Sequence, residues 1–220
     1  MNTLEKRLRA DAETILRASI GAVKPDSAVR RALEGARFPG RVFLVAAGKA
    51  AWQMASVARE TLPALAGGVV VTKYGHVKGE IADVACYEGG HPVPDENSLR
   101  GTAAALALTQ DLRADDTVLF LLSGGGSALF EQPLLPLADL QDITRALLAA
   151  GADIVEINTV RKRLSAVKGG RFAAHCAPAQ VFSIVLSDIV GGPLDMIASG
   201  PAYPDSSTCA QALAVAEKYR

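Results

Sequence analysis

The sequence is poor in cysteine and in aromatic residues. It has three cysteines in 220 residues, Cys86, Cys176 and Cys209. Their odd number and wide separation fit neither a disulfide framework nor a thiolate zinc site, which favours a cytoplasmic compartment. Aromatic residues make up 5% of the chain, so few side chains are available to stack on exposed nucleic-acid bases.

Net charge and long apolar runs are also lacking. The 23 basic residues balance 23 acidic ones, and no run of like charges breaks this balance. The chain therefore has no long-range field for sequence-independent binding to nucleic acid or to an anionic membrane. No apolar run approaches the roughly 20 residues that span a bilayer, and the charged first 18 residues contain no signal-peptide core. We expect a soluble protein with neither nucleic acid nor membrane as a partner.

Half of the residues are hydrophobic, which is enough to build a self-supporting core. Two amphipathic helices precede the first strand. Buried-type strands are predicted at residues 41–47, 117–122 and 181–187, with shorter ones at 68–72 and 84–87. Helices are predicted between and after them, at residues 50–62, 97–112, 137–149, 153–169 and 206–219, with Asp95 as the N-cap of the second. This alternation predicts a three-layer α/β/α sandwich with a mostly parallel sheet.

Ligands of open α/β sheets bind beyond the carboxyl ends of the strands, so the residues that follow the apolar runs are the first candidates. Gly48 and Lys49 follow the first strand and open a helix. A lysine at the positive end of a helix dipole is unfavourable by up to about 1 kcal/mol unless an anion is bound there. Lys49 is therefore either an anion ligand or a solvated side chain that turns away from the helix.

A glycine-rich segment follows the strand at 117–122. Its glycines let backbone N–H groups approach an anion, and the flanking serines add hydroxyl donors. The candidate residues are Ser123, Gly124, Gly125, Gly126 and Ser127. No lysine completes a Walker A motif, and Leu129 occupies the position of the third glycine of the dinucleotide fingerprint, so neither motif is present.

Asp188 ends the strand at 181–187. A carboxylate at this place can bind Mg²⁺ or accept a proton from a substrate hydroxyl. The alternative is an ordinary turn or N-cap aspartate before Gly191 and Gly192.

The predicted helix at 153–169 has a polar, cationic face. At 3.6 residues per turn this face contains Asn158, Arg161, Lys162, Ser165 and Lys168. It would suit a phosphate or carboxylate ligand, or it is simply solvated. His76 and His91 lie in glycine- and proline-rich loops, where a histidine either contacts substrate or serves as a turn residue.

Six motifs follow one another in the sequence. They are AGKAA at 47–51, VTKYGH at 71–76, GHPVPD at 90–95, LSGGGSA at 122–128, NTVRK at 158–162 with LSAVKGGR at 164–171, and LSD at 186–188 followed by GG at 191–192 and SGP at 199–201. Together they resemble the N-terminal domain of the glycerate 2-kinases of the MOFRL family, some of which carry the older name hydroxypyruvate reductase. Each motif alone is weak, but the ordered set is specific.

The resemblance implies a Rossmann-like N-terminal domain over residues 1–220, without the C-terminal MOFRL domain that forms the other side of the family's active-site cleft. It implies transfer of a phosphoryl group from ATP, with Mg²⁺, to the 2-hydroxyl of D-glycerate, giving 2-phosphoglycerate. The family's lysine maps to Lys49, its acidic residue to Asp188 and its glycine-rich loop to residues 123–127. Arg163 departs from the pattern, because the family usually has histidine at that position.

The residue chemistry and the resemblance converge on phosphoryl transfer, which requires charge neutralisation and positioning. We predict that Lys49 neutralises the migrating phosphoryl group or its leaving oxygen, and that Asp188 orients the hydroxyl, accepts its proton or holds Mg²⁺. The predicted substrate or nucleotide contacts are Gly48, His91, Ser123, Gly124, Gly125, Gly126, Ser127, Asn158, Arg161 and Lys162.

Two alternatives remain open, and so does the oligomeric state. One is an NAD(P)H-dependent hydroxypyruvate reductase, against which the absent dinucleotide fingerprint counts. The other is a non-catalytic module that binds a sugar phosphate or a nucleotide. The expected ligands are glycerate and a nucleotide, and a homodimer is allowed for.

Overall fold

A five-stranded sheet forms the centre of the protein. The computed structural model describes residues 2–187 and 194–219. The strands are β1 Val42–Ala47, β2 Gly67–Lys73, β3 Val84–Gly89, β4 Thr117–Ser123 and β5 Gln180–Leu186. Their order is β3-β2-β1-β4-β5 and every neighbouring pair is parallel. The predicted parallel sheet is confirmed.

β2 and β3 lie on one side of β1, and β4 and β5 lie on the other. The strand order therefore reverses between β1 and β4, and such a reversal opens a crevice at the carboxyl ends of the two strands. Ala47 pairs with both Val71 and Leu122, so β1, β2 and β4 end at the same level. The segments that follow these strands are thereby brought together.

Nine helices occur in the described part of the chain. They are α1 Thr3–Val23, α2 Asp26–Leu33, α3 Ala51–Thr61, α4 Glu96–Leu108, α5 Gly126–Leu129, α6 Leu137–Ala149, α7 Ile154–Arg163, α8 Arg171–His175 and α9 Cys209–Lys218. A short 3-10 turn spans Ile197–Ser199. Asp95 caps α4 as predicted, since its side chain accepts a hydrogen bond from the backbone N–H of Ser98. No helix of residues 2–187 and 194–219 is both long and apolar enough to cross a bilayer.

Helices cover both faces of the sheet, which confirms the three-layer sandwich. On one face α2 and α3 bury Val29 and Met54 against the even-numbered side chains of β1. On the other face α4, α5 and α8 pack against Phe120 of β4. There the rings of Phe120, Phe130 and Phe172 lie 5.0 to 5.5 Å apart, centroid to centroid. Phe130 directly follows α5, so this aromatic cluster anchors the glycine-rich segment to the core.

The prediction of one continuous helix over residues 153–169 is wrong. The helix ends at Arg163, and Ser165 instead forms a β-bridge with Pro133. Gly169 and Gly170 then adopt left-handed backbone conformations, with φ of +60° and +80°, which continue the chain away from the helix. Ser165 and Lys168 consequently do not share a helix face with the polar residues of α7.

Candidate active site

The loops that follow β1 and β4 interlock at the switch point. The backbone N–H of Lys49 donates to the carbonyl oxygen of Gly124 at 2.9 Å. Gly48 has a φ of +118°, and a Cβ atom at this position would lie 2.3 Å from the Oγ of Ser123. Only glycine fits there, because both the backbone conformation and the close approach exclude a side chain. The interlock fixes the start of the Lys49 side chain relative to the glycine-rich segment.

Ser123 serves the protein backbone. Its side chain is buried, and its Oγ accepts a hydrogen bond from the N–H of Ala50 at 3.0 Å, just before α3. The predicted contact of Ser123 with a ligand would have to compete with this bond. Thr72, at the end of β2, similarly donates to the carbonyl oxygen of Gly48. Two hydroxyl groups thus hold the turn that carries Lys49.

Gly125 is where the glycine-rich segment comes closest to other candidate residues. It has a φ of +89°, and an added Cβ would lie 2.9 Å from the imidazole of His91 and 3.2 Å from Cγ of Lys49. At Gly126 an added Cβ would lie 2.7 Å from that of Ala198. Because Gly125 has no side chain, its backbone packs directly against Lys49 and His91, and a bare backbone of this kind can present N–H groups to an anion.

A cavity of about 410 Å³ opens at this junction. Its volume is in the range of small-molecule sites. The candidate residues that line it are Lys49, His91, Gly124, Gly125, Ser127, Asn158 and Arg161. Apolar side chains of α6, α7 and the 3-10 turn complete the wall, among them Leu148, Ile157 and Ile197. The structure thus brings together candidates that are more than 100 residues apart in sequence.

A chain of polar contacts crosses one wall of the cavity. The Oγ atoms of Ser127 and Ser199 lie 3.2 Å apart, and Ser199 donates to Oδ1 of Asn158 at 2.8 Å. Asn158 in turn donates from Nδ2 to the carbonyl oxygen of Met196. Ala198 and Ser199 have φ values of +51° and +62°, an unfavourable conformation for residues other than glycine. Such strain is typical of functional sites, where the surrounding structure maintains it.

Arg161 projects from α7 into the cavity wall with only 9% of its surface exposed. Burial lowers the pKa of its guanidinium, and the negative charge of Glu131 partly opposes that shift. Its guanidinium forms no hydrogen bond or ion pair within the described residues. Arg161 therefore contributes a largely buried positive charge to the cavity that Lys49 also lines.

Comparison with known proteins places the chain in a family. Residues 11–220 match a family model described as "Domain of unknown function (DUF4147)". The chain belongs to this DUF4147 family.

Comparison with individual proteins confirms the resemblance to glycerate 2-kinases. A protein of Thermotoga maritima named D-glycerate 2-kinase is 58% identical over 208 residues, which are 93% of this chain and 50% of that protein. A glycerate 2-kinase of Pyrococcus horikoshii is 43% identical over 92% of this chain and 46% of its own length. A crystal structure of the Thermotoga maritima glycerate kinase superposes with a TM-score of 0.81 at 54% identity, covering 94% of this chain and 52% of that one. The chain spans about half the length of the curated relatives it matches.

In this DUF4147 chain the basic residues at the end of α7 divide into two groups. Arg161 lines the cavity, whereas Lys162 is fully buried and absent from its lining. The Nζ of Lys162 lies 3.3 Å from a carboxylate oxygen of Asp195 and 3.2 Å from one of Asp205. Arg163, at the position where histidine was expected, donates to the same Asp205 at 2.7 Å. The structure does not bring Lys162 into the cavity.

Asp188 lies outside the described residues, as do Gly191 and Gly192. Within residues 2–187 and 194–219, no group of three or more histidine, cysteine, aspartate or glutamate side chains could hold a metal ion. His76 lies beside the site, with its Nδ1 2.8 Å from the carbonyl oxygen of Lys49.

Sequence reasoning missed a buried ion pair beneath the glycine-rich segment of this DUF4147 chain. Lys168 is fully buried and donates to the carbonyl oxygens of Ser127 and Phe130, both at 2.8 Å. Its Nζ also lies 3.2 Å from Oε2 of Glu131. Burial lowers the pKa of Lys168, and Glu131 opposes that shift. Lys168 was among the polar residues of the predicted helix face, whereas nothing in the local sequence marked Glu131.

Proposed function

We propose that this chain provides the nucleotide- and glycerate-binding part of a glycerate 2-kinase, which phosphorylates the 2-hydroxyl of D-glycerate with ATP to give 2-phosphoglycerate. The observation that carries the proposal is the meeting of Lys49, the bare backbone of Gly124 and Gly125, and the buried Arg161 in one cavity at the strand-order reversal. The names of the relatives support the same reaction.

Phosphoryl transfer asks a protein mainly to position the reactants and to neutralise charge. The bare backbone of Gly124 and Gly125 lines the cavity together with Lys49, so that phosphate oxygens can approach backbone N–H groups there. When bound there, ATP supplies the phosphoryl group. Lys49 places an ammonium group beside the negative charge that shifts during transfer. Ser127 and His91 lie on the same wall and can position the reacting groups.

We further propose that Asp188 supplies a carboxylate to the cavity, because no acidic side chain is among the described residues that line it. β5 ends at Leu186, which pairs with Ser123 at the end of β4, and Asp188 is two positions further along the sequence. A carboxylate is the type of oxygen ligand that Mg²⁺ prefers, or it can accept the proton of the glycerate hydroxyl.

The domain assignment is part of this proposal. Residues 1–220 form a Rossmann-like N-terminal domain, and a C-terminal MOFRL domain would close the cavity from the other side. The length of the relatives supports this division, because the chain matches about half of each of them. The few scattered cysteines favour action in the cytoplasm.

A chimera tests the activity. We would join this chain to the remaining half of the Thermotoga maritima relative, supply ATP, Mg²⁺ and D-glycerate, and identify the product by ³¹P NMR. We expect 2-phosphoglycerate, and we expect Lys49→Met to lower kcat/KM at least 100-fold, since an oriented charge at a transition state contributes about 3 kcal/mol. Lys24→Met removes an exposed lysine at the end of α1 and should leave the rate unchanged.

Two outcomes would count against the kinase. One is the absence of phosphoglycerate from a folded chimera. The other is oxidation of NADH on addition of hydroxypyruvate, which would favour the reductase named by some relatives of the family.

A further inference from the structure

Arg161 is a largely buried residue whose guanidinium has no protein acceptor among the described residues. It is nine-tenths buried, it lines the cavity, and it forms no hydrogen bond or ion pair within the described residues. A guanidinium carries five N–H donors, and burying them without partners is unfavourable. The fold therefore holds a cation whose partner has to come from the cavity or from outside these residues.

The nearest buried acid does not neutralise Arg161. Glu131 is 1% exposed and pairs with the Nζ of Lys168 through Oε2, at 3.2 Å. Its other oxygen, Oε1, has no hydrogen-bond partner, so it does not reach the guanidinium. Arg161, Lys168 and Glu131 thus carry two positive charges and one negative charge, which is a net charge of +1. That balance matches a monoanion.

The surroundings favour a small carboxylic acid over a phosphate. Leu148, Ile154 and Ile157 line the cavity together with Arg161, and the polar Asn158 lies one helical turn before Arg161 on α7. The apolar side chains accommodate a short carbon chain. Lys49 and the glycine-rich segment follow β1 and β4, whereas Arg161 lies on α7. The part of the cavity that suits phosphate is therefore formed by elements other than α7. A guanidinium also matches the planar geometry of a carboxylate with two parallel hydrogen bonds.

We propose that Arg161 binds the carboxylate of a small 2-hydroxy acid in this cavity, with the Glu131–Lys168 pair fixing the wall beside it. The 2-hydroxyl is on the carbon next to the carboxylate, so an acid held at Arg161 keeps its hydroxyl inside the same cavity as Lys49. The proposal rests on the proposed function only for the identity of the acid.

Binding to the 220-residue chain tests the inference without catalysis. Isothermal titration calorimetry would measure D-glycerate, glycerol, inorganic phosphate and ATP against the wild type, Arg161→Gln, Arg161→Lys and Arg145→Gln. Arg145 is an exposed arginine of α6 and is the matched control. We expect Arg161→Gln to weaken D-glycerate at least tenfold and ATP less than twofold. The D-glycerate affinity of Arg161→Lys should lie between those of the wild type and Arg161→Gln, and that of Arg145→Gln should resemble the wild type. Glycerol, which has no carboxylate, should bind to none of the four proteins.

Urea unfolding separates recognition from a structural role. Because Arg161 is a buried cation without a partner, its replacement by glutamine should leave the midpoint unchanged or raise it. Two results for D-glycerate would overturn the inference: no binding to the wild type, or unchanged binding to Arg161→Gln. A third would be an Arg161→Gln variant that loses phosphate and ATP binding but keeps D-glycerate binding. Failure of the chimera to make phosphoglycerate would contradict the kinase but not this carboxylate site.

Discussion

At the residue scale, substitution of Gly125 has two effects: it strains the backbone, and it places a side chain against the site. Its positive φ disfavours any side chain, and a Cβ would also press on His91 and Lys49. We expect Gly125→Ala to lose about 1–2 kcal/mol of stability and at least tenfold in ATP affinity. Gly151 is the matched control, because its φ is +77° and nothing lies within 4 Å of an added Cβ.

Gly151→Ala should show a similar loss of stability in urea unfolding with unchanged ATP affinity. Equal ATP affinities for the two alanine variants and the wild type would remove Gly125 from the site.

The residues that could be predicted at this scale are those that follow apolar runs. Lys49 and the glycines at 124–126 were found because sheet ends collect ligands and because their local chemistry is unusual there. Glu131 and Ser199 could not be assigned a role in the same way. Their importance comes from partners far away in sequence, Lys168 for one and Asn158 for the other, and pairings of this kind leave no local pattern.

At the scale of elements, Asp116 joins the starts of the two strands that carry the site. It is 1% exposed and accepts hydrogen bonds from the guanidinium and the backbone N–H of Arg41, as well as from the N–H of Arg113. The Arg41 guanidinium holds the pKa of the Asp116 carboxyl well below its usual range. Because the pKa of Asp116 is lower in the folded than in the unfolded protein, its carboxylate stabilises the folded state at pH values above the unfolded pKa of about 3.9. This stabilisation is lost progressively as the pH falls from that value toward the lower pKa of the folded protein.

Asp116→Asn should therefore be less stable than the wild type at pH 7, and the difference should shrink at pH 3. Urea unfolding at the two pH values measures it. The exposed neighbour Asp115 provides the control, and Asp115→Asn should follow the wild type more closely at both values. A deficit of Asp116→Asn that is as large at pH 3 as at pH 7 would show that the carboxylate charge is not the cause.

Helices could be predicted where the hydrophobic periodicity and the capping or helix-breaking residues indicated the same bounds. The helix predicted at 137–149 matches α6, and Asp95 caps α4. The helix predicted at 153–169 failed because its apolar spacing continues through Leu164 and Val167, although the backbone has already left the helix. The bridge between Ser165 and Pro133 decides this, and it depends on tertiary contacts.

At the scale of the whole molecule, the parallel sandwich could be predicted from continuous apolar strands that alternate with helices. The order of the strands could not, because pairing of β1 with β4 is a contact between distant segments. That pairing places Lys49 beside Gly124. The sequence alone supplied both residues but not their contact.

The central claim is that the segments after β1 and β4 together hold the phosphate groups of a nucleotide. Its most direct measurement is a ¹H–¹⁵N NMR titration of the chain with ATP and Mg²⁺. We predict the largest amide shifts at Lys49, Gly124 and Gly125, with Gly35 and Gly151 unmoved. Shifts confined to another surface, such as the groove that contains Phe38 and Leu62, would contradict the account.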